Sequence, residues 1–360
     1  MSRAAQAIIN LPALVHNLQQ AKAAAPTSKT LAVIKANGYG HGILRVARAL
    51  SHHTDSFAVA SLEEAVELRD AGIQKPIVLL EGFFEAGELS VILHHGLDIV
   101  VHHRAQLEVL KQQKPADAKL NVWLKVDTGM HRLGFGPQEV KTVWNDLKAN
   151  ALVESITLMT HLANADDRQD SYTSTQLQRF DQCTQDLPGP RSIANSAGIL
   201  GWSATHADIN RPGILLYGGN PFNIGIDADV DLKPVMTLQT QLIAVHQYQK
   251  GDPIGYGGVW QCPQDMPVGV AAIGYGDGYP RHAGSGTPVL VNGKRAQLAG
   301  RVSMDMIGID LRNTPGAQVG DPVILWGEGL PIDEIARCAS TISYELMCGV
   351  TQRVKFVEKT

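Results

Sequence analysis

The sequence has few cysteines and no long apolar segment. Its 360 residues include only four cysteines, and none of them stands in a C-x-x-C pair. Zinc sites and the disulfide frameworks of small secreted domains need closer or more numerous thiols. No stretch is long enough to cross a bilayer, and Asn10 and Pro12 interrupt the apolar residues near the start, where a signal peptide needs a continuous run. We therefore predict a cytoplasmic protein with no metal site and no membrane span.

The sequence also lacks an excess of one charge and the motifs of several large enzyme classes. Its 31 basic and 35 acidic side chains give a formal net charge of -4, whereas binding to nucleic acids or membrane surfaces favours a basic excess. It has no G-x-S-x-G elbow and no Walker lysine motif, which argues against hydrolases and NTPases. The glycine-rich segment GYGDGYPR is not a dinucleotide loop, because Pro280 prevents a helix from following it. The expected partner is a small charged metabolite, and neither nucleic acid nor membrane.

Short apolar runs alternate with amphipathic stretches over the first two-thirds of the chain. Strands are predicted at residues 31–35, 57–60, 77–80, 98–101, 121–126, 156–161, 192–195 and 207–211. One helical stretch between them, SLEEAVELRDAG, begins with a capping box of Ser61 and Glu64. Eight strands separated by helices predict a parallel sheet closed into a TIM-type (β/α)8 barrel. An open doubly wound sheet is the alternative, but AVIKANGYGHG does not match its G-x-G-x-x-G turn.

The pattern changes near residue 231 to short β runs broken by turns. The segment VNGK at residues 291–294 predicts a hairpin, because Asn-Gly between apolar strands is typical of a tight turn. One helix is predicted around residues 331–339. The predicted fold is therefore of the α/β class, with a barrel over residues 1–230 and a smaller β-rich C-terminal domain over residues 231–360.

Charged residues follow two of the predicted barrel strands, where barrel enzymes carry their chemistry. Lys35 closes the first apolar run, and a lysine there can form a Schiff base if its amine is neutral part of the time; an ordinary solvated lysine is the other interpretation. In KVDTGMHRLGFG, Lys125 and Asp127 lie on one face of the strand end and Arg132 follows. Such a group suits a carboxylate or phosphate ligand, although a surface salt-bridge cluster has the same composition.

Three later strand ends supply further polar groups. His161 ends one strand, NSAG another, and RPGI the last. Barrels often bind phosphate after their seventh and eighth strands. Free backbone N–H groups at Ser196, Gly213 and Ile214 would form such a phosphate cradle.

These motifs, in their order along the chain, resemble the alanine racemase family, and the match covers essentially the whole sequence. The segments that carry it are VIKANGYGHG, KVDTGMHRLG, THLANAD, NSAG, RPGILLYG, GYGGVW, GRVSMDM and SYELMCGVTQRV. The resemblance implies pyridoxal 5'-phosphate (PLP) as the cofactor and racemisation of L-alanine and D-alanine as the reaction. It also implies a homodimer in which the second domain of one subunit completes the barrel site of the other.

The resemblance assigns roles to individual residues. Lys35 is implied as the Schiff-base lysine and one of two catalytic bases, and Tyr256, supplied by the partner subunit, as the other. The implied cofactor contacts are Tyr39, Arg132, His161, Ser196, Arg211, Gly213, Ile214 and Tyr344. Arg132 and the Met304 amide are implied to bind the substrate carboxylate. Lys125, often carbamylated in relatives, holds Arg132, and Asp305 follows Met304. The corridor to the site is lined by Asp166, Tyr275, Arg281 and Arg301.

Two departures from the family pattern and several alternatives stay open. Gly38 stands where alanine is usual, which should loosen the loop after Lys35, and Ser303 stands where cysteine or alanine is common. A barrel-type PLP decarboxylase is the alternative enzyme, although those enzymes place an acidic residue where Arg211 stands. A single-barrel PLP-carrier protein is the non-enzyme alternative, although such carriers lack the β-rich domain. Whether the role is D-alanine supply for peptidoglycan or D-alanine degradation, and whether serine is also a substrate, is not decided by the sequence.

Overall fold

The computed structural model describes residues 3–113, 118–222 and 230–359, and the chain divides into two compact units. One unit comprises Val15–Leu216 and Asn220–Leu232, and the other comprises Met1–Leu14, Tyr217–Gly219 and Lys233–Thr360. Within the described residues, no helix combines the length and the apolar character that a membrane span requires.

The described chain begins with strand β1 (Gln6–Asn10) and helix α1 (Leu11–Ala24). The Asn10 side chain accepts a hydrogen bond of 3.1 Å from the Ala13 N–H and thereby caps the helix. Pro12 in the first turn lacks only an N–H that would have no helical partner. The two residues that interrupt the apolar run therefore mark a change from strand to helix.

The barrel unit contains the eight predicted strands in the predicted order. The strands are β2 (Lys29–Val33), β3 (Ser56–Val59), β4 (Ile77–Leu79), β5 (Asp98–Val101), β6 (Leu120–Lys125), β7 (Val153–Met159), β8 (Arg191–Ser192) and β9 (Ile209–Asn210). The segment α2 (Lys35–Tyr39) that follows β2 is a left-handed turn and not a regular helix. The helices that follow it are α3 (Ile43–Leu50), α4 (Leu62–Asp70), α5 (Glu88–His94), α6 (Arg104–Gln112), α7 (Val140–Ala149), α8 (Tyr172–Thr184) and α9 (Ser196–Gly201).

These strands form one parallel sheet in the order β8-β7-β6-β5-β4-β3-β2-β9. The Arg211 N–H donates to the Ala194 carbonyl at 3.0 Å, which joins the ends of the two outer strands, β9 and β8. The residues of β3 and β4 are buried on both faces, as strands enclosed by helices must be. The barrel prediction is confirmed. All eight strands end on the same rim, so the polar residues that follow them are brought together.

The second unit is a largely antiparallel β structure. Its further strands are β10 (Met236–Tyr248), β11 (Pro253–Ile254), β12 (Trp260–Gln261), β13 (Met266–Ala271), β14 (Pro288–Val291), β15 (Lys294–Leu298), β16 (Ile307–Asp310), β17 (Pro322–Trp326) and β18 (Lys355–Lys359), and its helices are α10 (Ile332–Cys338) and α11 (Ser343–Cys348). The main sheet has the order β13-β16-β15-β14-β17-β10-β1-β18. Asn292 and Gly293, with φ of 50° and 73°, form the predicted hairpin turn between β14 and β15.

The structure departs from the predicted fold in two places. The division put residues 1–230 in the barrel, but β1 pairs with β10 and β18 and clusters with the β-rich unit. Its alternate residues Ala7 and Ile9 are fully buried against that sheet. The helix predicted around residues 331–339 is present as α10, whereas α11 was not predicted. Six residues are too few for a recognisable helical period.

Candidate active site

Lys35 stands immediately before a strained turn of the backbone. It follows β2 and is half-buried. The next residues, Ala36, Asn37, Gly38 and Tyr39, have φ of 52°, 54°, 62° and 50°. This left-handed conformation costs non-glycine residues roughly 1–2 kcal/mol each, although asparagine tolerates it better. Strain of this kind persists only where the surroundings hold it, and it is concentrated at functional sites.

Gly38 is the one residue of the turn that adopts this conformation without strain. A Cβ atom at this position would also lie 3.0 Å from Cγ2 of Val46. An alanine at position 38 would therefore be strained and crowded. The predicted effect of Gly38 on the mobility of the loop stays a prediction, but its effect on backbone strain is favourable.

Tyr39 ends the turn beside the rim of the last two strands. A Cβ atom at Gly213 would lie 2.8 Å from the Tyr39 hydroxyl and 3.8 Å from the Ser196 hydroxyl. The Ser196 hydroxyl accepts hydrogen bonds from the N–H groups of Gly213 at 2.8 Å and Leu215 at 3.4 Å. The expectation of a free Gly213 N–H is therefore wrong. Within the described residues, the N–H groups of Ser196 and Ile214 have no protein acceptor. We call the surroundings of these two donors and the Tyr39 hydroxyl the Tyr39–Ser196–Ile214 space.

Arg211 is held rigidly beneath this rim. Its guanidinium donates to the Ser192 hydroxyl at 2.6 Å, the Thr160 carbonyl at 2.6 Å and the Ile193 carbonyl at 3.1 Å. Burial lowers the pKa of Arg211 to about 10, which leaves the side chain protonated at neutral pH. No carboxylate of the described residues pairs with it. A fixed positive charge of this kind can only donate hydrogen bonds.

His161 is a neutral neighbour of Arg211. Burial, together with the charges of Arg211 and Lys125, lowers the pKa of His161 well below its ordinary value. Its Nδ1 atom lies 3.4 Å from Nη2 of Arg211. Because arginine can only donate, Nδ1 is the acceptor and Nε2 carries the hydrogen.

Lys125 ends β6 as a buried amine among cations. Its residue is 8% exposed, and its pKa is lowered to about 8 by burial first and then by the charges of Arg211, Arg132 and Lys35. Arg132 itself is exposed in the loop that follows. These residues share one electrostatic environment at the barrel rim, as the strand-end pattern predicted.

Asp127 does not join this group as a ligand. Its carboxylate accepts hydrogen bonds from the N–H groups of Gly129 and His131, both at 3.0 Å. It therefore closes the turn after β6. The prediction that Lys125, Asp127 and Arg132 converge on a ligand is wrong for Asp127. The alternation of side chains along a strand does not reveal a turn that folds back onto its own carboxylate.

The second unit presents the remaining predicted site residues on its surface. Tyr256 lies in a 3-10 turn and is 68% exposed, and Met304 is 51% exposed. Tyr275 and Tyr344 are also among the exposed large side chains.

The segments that carry Tyr275 and Met304 are joined by backbone contacts. The Tyr275 N–H donates to the Ser303 carbonyl at 3.0 Å, and the Gly276 N–H donates to the Met304 carbonyl at 2.9 Å. The approach is close enough to require glycine at position 274, where a Cβ atom would lie 2.2 Å from the Ser303 carbonyl oxygen. The main-chain carbonyl of residue 303 is thus one of the acceptors that hold the two segments together, whichever side chain stands there.

A charge network that the sequence did not reveal supports these segments. The fully buried Asp277 carboxylate pairs with Arg3 at 2.6 Å and with Arg353 at 3.4 Å. Asp305 bridges the same two arginines, and the hydrogen bond from Arg353 holds the pKa of Asp305 below its ordinary value. The acidic residue within GYGDGYPR was a possible signal for Asp277, but nothing in the sequence pointed to Arg3, which lies more than 200 residues from either acid.

The predicted corridor residues are less closely connected. The Arg301 guanidinium lies against the Tyr256 turn, where a Cβ atom at Gly257 would be 3.5 Å from its Nη1. Asp166 is half-buried in the loop after β7, and Arg281 is exposed. Among the hydrogen bonds and ion pairs of the described residues, none joins Asp166 or Arg281 to another predicted site residue. Their corridor role stays a prediction.

Comparison with known proteins gives matches along almost the whole chain. The family model described as alanine racemase, N-terminal domain, matches residues 9–221, and the one described as alanine racemase, C-terminal domain, matches residues 235–358. The chain is 51% identical over 360 residues to a protein named alanine racemase from Coxiella burnetii, covering 98% of each sequence.

Solved structures agree with the sequence matches. The biosynthetic alanine racemase from Pseudomonas aeruginosa has a TM-score of 0.96 and 45% identity, with 99% of this chain and 100% of that chain covered. The alanine racemase from Bartonella henselae with covalently bound pyridoxal phosphate has a TM-score of 0.90 and 28% identity, with 99% of each chain covered.

Proposed function

This chain belongs to the alanine racemase family, and we propose that it uses PLP to interconvert L-alanine and D-alanine. The observation that carries the proposal is the rim of the barrel. There Lys35, the Tyr39–Ser196–Ile214 space and the fixed cation of Arg211 lie at the ends of strands in one closed sheet. Because the two enantiomers have equal free energy, one site serves both the supply and the removal of D-alanine, and metabolite concentrations set the direction.

The residues present fit the cofactor. The N–H groups of Ser196 and Ile214 and the hydroxyl of Tyr39 would hold its phosphate, Lys35 would bind it covalently, and Arg211 would donate to its ring nitrogen. When bound, PLP stabilises the negative charge that develops at Cα of an amino acid when the α-proton leaves.

Arg211 distinguishes racemisation from the competing reactions. As a donor only, it would leave the ring nitrogen of the cofactor unprotonated and so would limit how strongly charge is drawn away from Cα. The charge would then stay available for prompt return of a proton to Cα, which would favour racemisation over side reactions. A decarboxylase would be expected to place an acid here, and a PLP carrier would have no use for the β-rich unit.

Racemisation needs a base on each face of the planar substrate carbon, and we assign Lys35 and Tyr256 to these roles. One base cannot reach both faces of a flat centre, so a proton removed from one side must be replaced from the other. By the family resemblance, Tyr256 takes the proton from L-alanine and Lys35 takes it from D-alanine. Met304 and Arg132 would hold the substrate carboxylate and so fix which face of the α-carbon each base approaches.

We further propose that two copies of the chain share their sites. Lys35 belongs to the barrel unit and Tyr256 to the β-rich unit, and the exposure of Tyr256 and Met304 is consistent with coverage by a second chain. Tyr256 would then act on the cofactor bound to the partner's lysine.

Lys125 is proposed to carry a carbamate that supports Arg132. Carbamate formation joins the neutral amine nitrogen to the carbon of carbon dioxide and releases one amine proton, and the lowered pKa of Lys125 supplies a neutral fraction near pH 8. The reaction replaces a cation beside Arg132 with an anion that can accept its hydrogen bonds. The repulsion between Lys125 and Arg132 would thereby become attraction.

The first test follows the optical activity of L-alanine by circular dichroism. A racemase reduces the signal to zero, a decarboxylase releases carbon dioxide, and a carrier leaves alanine unchanged. Borohydride reduction followed by peptide mapping should label Lys35, and label on Lys125 instead would overturn the assignment.

The second test separates the two bases. Tyr256→Ala should slow racemisation by roughly 10²–10⁴ in both directions, but in deuterium oxide it should still exchange the α-hydrogen of D-alanine through Lys35. Mixing inactive Lys35→Ala and Tyr256→Ala chains should restore some activity, since one site of a mixed dimer keeps both bases. Equal exchange into both enantiomers would reject the assignment of faces, and no recovery on mixing would reject the shared site.

A further inference from the structure

The strained turn after Lys35 is fastened to the neighbouring loop by one carboxylate. Oε1 of Glu64 accepts a hydrogen bond from the Asn37 N–H at 3.3 Å, and Oε2 accepts one from the Ala60 N–H at 2.9 Å. Glu64 is therefore not a complete capping-box partner of Ser61. The Ser61 hydroxyl faces the Glu64 N–H at 3.5 Å, but the Glu64 carboxylate is directed away from α4 to two other segments.

The other side of the turn is held from within its own loop. The Asn37 side-chain oxygen accepts from the Ile43 N–H at 2.8 Å. Nδ1 of His41 lies 2.9 Å from the Tyr39 carbonyl and 3.1 Å from the Gly38 carbonyl, so it carries the hydrogen and donates. Burial lowers the pKa of His41 to about 4, so the ring is neutral under ordinary conditions. Glu64 thus connects this turn to a segment beyond α3.

We propose that Glu64 is a positioning residue that fixes the Lys35 amine relative to the phosphate space beside Tyr39. The inference rests on the proposed function, because it takes Lys35 and Tyr39 as two points of attachment for one cofactor. The residues between them are held in a conformation that the free backbone disfavours. If the carboxylate is removed, the turn can relax, and the distance between the two points of attachment is no longer set.

The neighbouring acid provides a matched control. Glu63 lies in the same first turn of α4, so it has the same charge and the same relation to the helix dipole. Its carboxylate is exposed and interacts with the Ser61 hydroxyl. Glu63→Ala therefore changes the start of the helix without touching the turn after Lys35.

The variants Glu64→Ala, Glu64→Gln and Glu63→Ala should differ in a defined order. In Glu64→Ala, we expect the dissociation constant for PLP to rise about tenfold. We expect kcat to fall by roughly 10²-fold, which is the cost of a displacement of about 1 Å at a reacting group. The KM for alanine should change less than kcat, because the groups proposed to bind the carboxylate of alanine lie outside this turn. Glu64→Gln, which keeps one acceptor oxygen for the two donors, should lie between, and Glu63→Ala should match the unmodified protein.

Two readouts are independent of activity. Equilibrium dialysis measures the affinity for PLP, and hydrogen exchange measured on the full-length protein reports the amides of residues 36–42. Glu64→Ala should exchange these amides faster than Glu63→Ala does, with equal thermal stability of the barrel. Because the turn carries Lys35 and not Tyr256, deuterium exchange should also fall further for D-alanine than for L-alanine.

The inference is overturned if Glu64→Ala matches Glu63→Ala in PLP affinity and in exchange of residues 36–42. It is also overturned if deuterium exchange at Cα falls equally for L-alanine and D-alanine, which would indicate a general loss of structure. Failure of the proposed function has a different signature. Borohydride would then label a lysine other than Lys35 in the unmodified protein, whereas faster amide exchange in Glu64→Ala would still show that the carboxylate holds the turn.

Discussion

Replacing Lys125 with methionine should stabilise the cofactor-free protein at neutral pH. Methionine keeps the length of the side chain and removes its charge. In the native chain, burial and the charges of Arg211, Arg132 and Lys35 lower the pKa of Lys125 from 10.5 to about 8. The folded state therefore disfavours the protonated amine, whereas the unfolded state accepts it without cost.

The size and the pH range of this gain follow from the same shift. The difference between 10.5 and about 8 corresponds to roughly 3 kcal/mol of unfolding free energy. Because the folded pKa is the lower one, the destabilisation is complete below pH 8. It declines as the pH rises from 8 to 10.5 and is absent above that range. The stabilisation by Lys125→Met should decline over the same interval.

Urea denaturation at pH 7 and pH 10 measures the difference. Lys119→Met is the matched control, since Lys119 directly precedes the same strand, β6, and is exposed; its effect should stay within about 0.5 kcal/mol at both pH values. Equal stability of Lys125→Met and the unmodified protein at pH 7 would refute the reasoning. Added bicarbonate should then stabilise the unmodified protein but not Lys125→Met, because only the former can bind carbon dioxide as a carbamate.

Three further substitutions test other parts of the site. Gly38→Ala should lower the unfolding free energy by about 1–2 kcal/mol. The loss should exceed that of the control Gly72→Ala. Gly72 also has a positive φ, but no atom lies within 4 Å of its Cβ position, whereas a Cβ atom at Gly38 meets Val46. Thermal unfolding measures both, and equal losses would show that the Val46 contact is harmless. Arg211→Glu should lower the urea midpoint, because buried acceptors lose their donor at about 1–3 kcal/mol each, and should raise pyruvate formation relative to racemisation; an unchanged product ratio would mean that the side chain does not contact the ring. Arg3→Met should raise the KM for alanine several-fold and leave PLP affinity unchanged, as measured by steady-state kinetics and dialysis; an unchanged KM would exclude a role for the charge network in holding Met304.

The architecture of the barrel was predictable because its signals are local. Each strand is a short apolar run between amphipathic stretches, and the polar residue that ends it, such as Lys35, Lys125 or His161, marks the rim. The pairing of β1 was not predictable in this way. QAIIN is too short to show a period, and its partners β10 and β18 lie far along the chain.

The site was predictable to the extent that its members lie in recognisable motifs. Lys35, Arg211 and Ser196 are candidates because each follows a strand. Contacts formed by folding could not be read in the same way. Glu64 looked like an ordinary helix-capping residue, and Arg3 looked like part of a terminal segment, since neither pattern indicates where a side chain ends in space.

The position of β1 has a consequence for how the protein is made. Because β1 lies between β10 and β18 in the sheet, the barrel is an insertion within the β-rich unit. At 5–20 residues per second, a ribosome needs roughly 20–70 s after β1 emerges to complete its parallel neighbour β18. The barrel can be finished during that interval, whereas β1 must wait without its sheet. A fragment cut at residue 231 would lack this strand altogether and would leave β10 and β18 with open edges that invite pairing between molecules.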